Sequence, residues 1–283
     1  MSTHPAKTVC VLLALTIQMQ AQAPATGSRE VTSVKQSFEE LRLRCTDPSS
    51  ASAQSGLRRI AEKIRNSSGD DVAAAIPLMI GALRGSENPR LCTLVVLFDV
   101  SLRPDSAQLL SSYIGPIGNL LNSPDERFQT TPPIIFLNLK PQPPPEVVPP
   151  LLTYLTRTDL DPKAQTSALF ALAKIAGDNP EVISGIRGFL ARPLDNRVRI
   201  DALNALGDSR VRDPHVVAMV TASLDDADQG VRFTAAQTLR RMGENAVRQA
   251  EPALQTVIER ADESPEVKDA ARAALKSIGR TSE

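Results

Sequence analysis

The sequence predicts an all-α protein, a superhelical α-solenoid of about seven stacked helix pairs. Three observations carry that prediction. One helix is written again and again: "DPKAQTSALFALAKIAG" from Asp161, "DNRVRIDALNALG" from Asp195, "DQGVRFTAAQTLRRMG" from Asp228 and "SPEVKDAARAALKSIG" from Ser264. The chain is 42% hydrophobic but only 3% aromatic, with no Trp, so its core must be built from Ala, Leu, Val and Ile, which suits closely packed helices. Short oxygen-bearing residues followed by Pro recur between the segments, where a helix N-terminus needs an acceptor for its free N–H groups and loses nothing to Pro at its first position.

The first 23 residues stand apart. Lys7 is their one Lys or Arg, Val9–Ile17 is apolar, and Ala21–Gln22–Ala23 supplies small residues for cleavage, so 1–23 reads as a signal peptide. Nine apolar residues fall well short of the roughly twenty that span a bilayer. The expectation is a secreted or periplasmic protein with no transmembrane segment after signal cleavage. Without Lys7 the chain carries 31 basic and 32 acidic residues, so no global field favours nucleic acid or anionic membrane. Two cysteines remain, Cys45 and Cys92, and an oxidising compartment permits a disulfide between them.

With the valine of "VR" as position zero, Val231, Ala235, Leu239 and Met242 fall at 0, +4, +8 and +11, on one helical face. Val267, Ala271, Leu275 and Ile278 repeat the spacing, as do Ala164, Ala168, Leu172 and Ile175; Val198, Ala202 and Leu206 form a shorter copy. Upstream the pattern is degraded but present in Ala53, Leu57, Ala61 and Ile64, in Leu91, Val95 and Leu102, and in Phe128, Pro132, Phe136 and Leu139. Asp99 and the pair Pro132-Pro133 interrupt it. Zero positions are thus 53, 91, 128, 164, 198, 231 and 267, and a companion helix lies before each, the first over Ser33–Arg44. The chain divides into 24–145, with divergent repeats, and 146–283, with regular ones. Pro-rich Lys140–Pro150 joins them, as a stiff turn and helix entry or as a polyproline recognition segment.

Catalytic and cofactor chemistry finds little footing. His215 is the only histidine beyond residue 23, so neither a Ser-His-Asp nor a Cys-His set can be assembled, and no phosphate-binding glycine loop occurs. Counted from Asp226, the stretch Asp225–Gly230 has its Gly one place early for an EF-hand and so lacks the fifth-position ligand. Asp161, Asp195 and Asp228 recur at cap positions. No catalytic residue, metal ligand or cofactor site is assigned. Arg240, Arg241, Arg248, Lys268, Arg272 and Lys276 give a modest basic end, but Glu244, Glu251, Glu259 and Asp269 offset it, and nucleic-acid binding is not expected.

The order D-x-x-V-R-x-x-A-x-x-A-L after a shorter helix resembles the HEAT repeat, particularly the bacterial form also found in phycobilisome lyases. The resemblance is strongest over residues 146–279 and weaker over 30–145. It implies a fold shared by scaffolds, transport receptors, lyases and some DNA-repair enzymes, so it leaves function open. The repeated His-Glu pairs of metal-dependent relatives such as deoxyhypusine hydroxylase are absent. Arg199 and Arg232 resemble the arginine that bridges neighbouring turns in such repeats.

The resemblance also implies that the VR helix turns its outer face to the concave surface. Positions +2, +6 and +9 lie opposite the core positions, and there the sequence offers Leu97, Ile134, Phe170, Ile200 and Phe233, with Gln237 and Arg240 beside them. An apolar strip rimmed by polar residues suits a protein or peptide partner; crowding of adjacent VR helices would instead bury it. The leading expectation is a non-enzymatic binding scaffold, and the alternative a lyase-like or chaperone accessory handling a prosthetic group. Stacked turns would bring Cys45 beside Cys92, closing a loop worth about 3–4 kcal/mol in the chain-entropy model.

Overall fold

The computed structural model describes residues 33–45, 49–85, 87–209 and 211–279, and every regular element among them is helical. The expected signal segment, 1–23, lies outside the described residues. Contacts divide the chain into two compact units, 1–150 and 151–283. The division falls within a helix rather than at 145/146. Among the described residues the helices form seven stacked pairs, an α-solenoid architecture.

The first described helix of the first unit is α1 (Val34–Arg44), which begins at a reciprocal cap: Ser33 accepts from the Gln36 N–H while the Gln36 side chain accepts from the Ser33 N–H. It pairs with α2 (Ala51–Asn66), and α3 (Gly69–Ala82) pairs with α4 (Glu87–Ser101). The cap of α2 is Ser50, which accepts from the Ala53 N–H. The third pair is fragmented. Short α5 (Ser106–Leu110) and α6 (Ile114–Gly118) alternate with single 3-10 turns. Its VR helix is split into α7 (Glu126–Gln129) and α8 (Thr131–Asn138), because Pro132 and Pro133 cannot donate to the preceding turn and clash with it.

A disulfide joins Cys45, after α1, to Cys92 in α4, across a Cα–Cα distance of 6.6 Å. The Pro-rich stretch is a turn and a helix entry: the Lys140 N–H donates to Ser106 Oγ, a 3-10 turn runs over Pro145–Val147, and Val147 is buried.

The second unit is more regular. Companion helices α9 (Val148–Thr156), α11 (Pro180–Leu190), α13 (Pro214–Ala222) and α15 (Glu244–Glu259) alternate with VR helices α10 (Pro162–Ala176), α12 (Asn196–Gly207), α14 (Gln229–Met242) and α16 (Pro265–Lys276). Asp161, Asn179, Asp195, Asp213, Asp228 and Ser264 each cap the helix that follows by accepting a first-turn N–H. Each VR helix packs on the next VR helix, and each companion from α11 onward on the next companion.

Candidate functional site

The outer face of the VR helices is defined by what packing leaves uncovered. Positions 0, +4 and +8 are core in every copy of the second unit: Val231, Ala235 and Leu239 are fully buried, and so are Ala168, Leu172, Ala202 and Leu206. Stacking buries two further rows. Position +5 (Leu169, Leu203, Ala236) and position +7 (Ala171, Ala205, Thr238, Ala274) are closed off as well, being the flanks through which successive VR helices touch. In α16, which no described VR helix follows, +5 is Arg272 and it is exposed. At about 100° per residue the uncovered arc is therefore centred on −1, +2, +6 and +10.

That arc holds most of the expected binding residues of this unit. Phe170 (+6 of α10), Ile200 (+2 of α12) and Phe233 (+2 of α14) are half-buried, as is Gln237, and Arg240 is exposed. Lys174 Nζ stands 5.5 Å from the centre of the Phe170 ring. Ile200 reaches against Gly230 of the next helix, where an added Cβ would lie 3.3 Å from its Cδ1. Arg241 fills a comparable gap over Gly207, where a Cβ would lie 2.6 Å from its Nε. From there it donates to Asn204 Oδ1 at 2.8 Å and pairs with Asp208 at 3.5 Å.

The first unit gives a different result. Leu97 is 0% exposed, and so is Val100, so Leu97 is a core residue and not part of an accessible strip. The cause is the crowding of α4, which packs against α1, α2, α3, α5, α7 and α8. Ile134 is half-buried in α8, between buried Pro133 and Ile135.

Position +1 forms a ladder along the turns. Arg199 donates to the Leu194 carbonyl of its own turn at 3.0 Å and to Asp226 of the next turn at 3.1 Å. Arg232 donates to the Asp226 and Ala227 carbonyls and, through two nitrogens at 2.7 and 2.8 Å, to Glu263 of the next turn. Gln165 holds the corresponding place in α10, donating to the carbonyls of Tyr154, Leu155 and Arg157, and Gln54 and Gln129 do the same for Ser49 and Ser123. Cys92 is the +1 residue of α4 and spends its place on the disulfide. Arg192 and Arg260 add a second set of ties, reaching back one repeat to the carbonyls of Arg157 and Leu160 and of Leu224. The Arg232 guanidinium holds the Glu263 carboxyl below the usual range, against the opposing effect of burial. These residues satisfy turns; their chemistry is structural.

His215 is exposed at the start of α13, where its N–H donates to Asp213. Among the described residues no group of three His, Cys, Asp or Glu could hold a metal ion, and no helix is long and apolar enough to cross a membrane.

Residues 189–276 match the family model for HEAT repeats. They span the end of α11 to the end of α16, the stretch where the ladder and the stacked VR helices are most regular. Among solved structures, the chain is similar to an engineered protein at 18% identity, over 87% of this chain and 69% of that one, with a TM-score of 0.49. A designed armadillo repeat protein, solved in complex with the peptide (KR)4, is 19% identical over 87% of this chain and all of its own, with a TM-score of 0.39. Crescerin, described as using a TOG domain array to regulate microtubules in the primary cilium, is 18% identical over 86% of this chain and 92% of that one, with a TM-score of 0.32. No curated protein matches the chain.

Proposed function

We propose that the protein is an exported, non-enzymatic scaffold that binds a protein or peptide partner on the concave face formed by its VR helices. The observation that carries this reading is the row Phe170, Ile200 and Phe233, large apolar side chains left half-uncovered on the arc that stacking leaves open. Its mechanism is rigid presentation. Capped, stacked helices hold the row in place before the partner arrives, so little ordering of the receptor opposes binding. Export is supported by the signal-like composition of residues 1–23 and by the Cys45–Cys92 disulfide, a bond that persists in oxidising compartments.

The test is capture from an envelope extract, with residues 24–283 as bait beside a Phe170→Asp/Phe233→Asp variant of unchanged helicity. A protein retained by the parent and lost by the variant is the expected result. Equal retention by both baits would refute binding on this face, and loss of helicity in the variant would make the two phenylalanines core.

A further inference from the structure

The partner's chemistry can be read from the charges that the same face leaves over. On the outer arc of the VR helices in the second unit, most acidic side chains are already engaged. Asp201 pairs with Arg197, Asp208 with Arg241, and Asp269 with Arg272. Glu266, at the N-terminal end of α16, is the exception. Four cations on or beside that arc, Lys163 at −1, Lys174 at +10, and Arg240 and Lys276 at +9, are exposed and have no acidic partner among the described residues. Three of the four stand at the C-terminal ends of their helices, where the helix dipole favours positive charge. One of them, Lys174, lies directly beside an apolar anchor, over the Phe170 ring. The face thus presents half-buried aromatic and aliphatic side chains along its middle and uncompensated positive charge along one edge.

We infer that the segment bound by this face is an acidic peptide with interspersed large apolar side chains, seated with its apolar residues on Phe170, Ile200 and Phe233 and its carboxylates on Lys174, Arg240 and Lys276. This rests on the reading that the face binds a partner, and adds the partner's charge and spacing. Packed helices lie about 8–10 Å apart, and an extended chain advances about 3.3 Å per residue. Arg240 and Lys276, on successive helices, therefore suit acidic residues about three apart. Lys174 and Arg240, two helices apart, suit a separation of about five or six. A nucleic acid would satisfy the cations but leave the aliphatic Ile200 without a complementary group, so a peptide is favoured.

The experiment is selection of a displayed library of short random peptides on the full protein, followed by anisotropy measurements with the enriched peptides at low and high salt. Enriched peptides should be rich in Asp and Glu with Phe, Leu or Ile between them, and should bind more weakly as salt rises. Lys174→Glu/Arg240→Glu, both at exposed positions, should weaken them by about tenfold or more. Enrichment of neutral or basic peptides that are lost on Phe170→Asp/Phe233→Asp would overturn the acidic preference and leave the binding face standing. Enrichment of nothing, or of peptides indifferent to both variants, would overturn both. A single-stranded oligonucleotide that binds with the same dependence on Lys174 and Arg240, and displaces the peptides, would reassign the face to nucleic acid.

Discussion

Asp99 offers the sharpest test of the packing described above. It occupies position +8 of α4, where Leu172, Leu206, Leu239 and Leu275 stand in the regular repeats, and it is 2% exposed. Its Oδ2 accepts no hydrogen bond. Burial pushes its carboxyl up from 3.8 to about 7, with Arg65 pulling weakly the other way. Between those two values the folded chain holds a proton that the unfolded chain has released, so stability must fall as pH rises from about 4 to 7 and stay low above it. That interval, at about 1.4 kcal/mol per pH unit, amounts to an upper bound of about 4 kcal/mol. Asp99→Asn keeps the side-chain shape without the charge. It should therefore be the more stable protein at pH 8, by as much as about 4 kcal/mol, and nearly equal to the parent at pH 4. The chain has no Trp and two tyrosines, Tyr113 in the first unit and Tyr154 in the second. In a Tyr154→Phe background, tyrosine fluorescence during urea unfolding reports on the first unit alone. The reasoning is refuted if the parent is as stable at pH 8 as at pH 4, or if the Asn variant keeps the parent's slope.

Glu263 should behave in the opposite sense. Its carboxyl is held low by Arg232, so the stability it contributes is present above the ordinary glutamate range and is lost as pH falls through and below that range. Glu263→Gln should cost about 2–3 kcal/mol at neutral pH, read from the urea midpoint of the second unit, with less acid sensitivity remaining. Reducing the Cys45–Cys92 bond should lower the stability of the first unit by about 3–4 kcal/mol and leave that of the second unchanged, each followed by its own tyrosine. Gly177→Ala should destabilise the second unit by about 1–3 kcal/mol. Its Cβ would clash with the Ala173 carbonyl oxygen and lie 2.7 Å from the Val211 nitrogen, backbone atoms that cannot rotate away.

How much of this was legible in the sequence depended on whether a residue's environment is set within its own repeat. The zero, +4 and +8 rows were readable because helical period alone puts them on one face, and the capping Asp, Asn and Ser residues because a helix N-terminus needs an acceptor wherever it occurs. Rows +5 and +7 were not, since their burial comes from the neighbouring VR helices; Ala171 and Ala205 look no different from surface alanines. Leu97 was misread for the same reason, being at an outward position by period but fully buried on a helix that packs against six others. Arg199 and Arg232 could be assigned to turns from the motif. Gln54, Gln129 and Gln165 could not, although their position just after the zero residue was the available signal. Asp99 showed as a break in the apolar run, but periodicity does not say whether a break is exposed or entombed. The half-uncovered row Phe170, Ile200 and Phe233 was visible; the charge left over beside it required knowing which acids were already paired.

In the second unit, ties between successive repeats gather at the turns that lead into the VR helices: Asn196 to Asp228, Gln229 to Ser264, Arg199 to Asp226, Arg232 to Glu263 and Arg260 to Leu224. At the far ends of the same helices the polar links run from Arg241 to Asn204 and Asp208. The stack is bound like a book, stitched along its spine and open along its fore-edge. Thermal bending should fan the helices at the fore-edge and leave the spine still. Lys174, Arg240 and Lys276 stand on that fore-edge, so a partner that grips them also fixes how far the pages open.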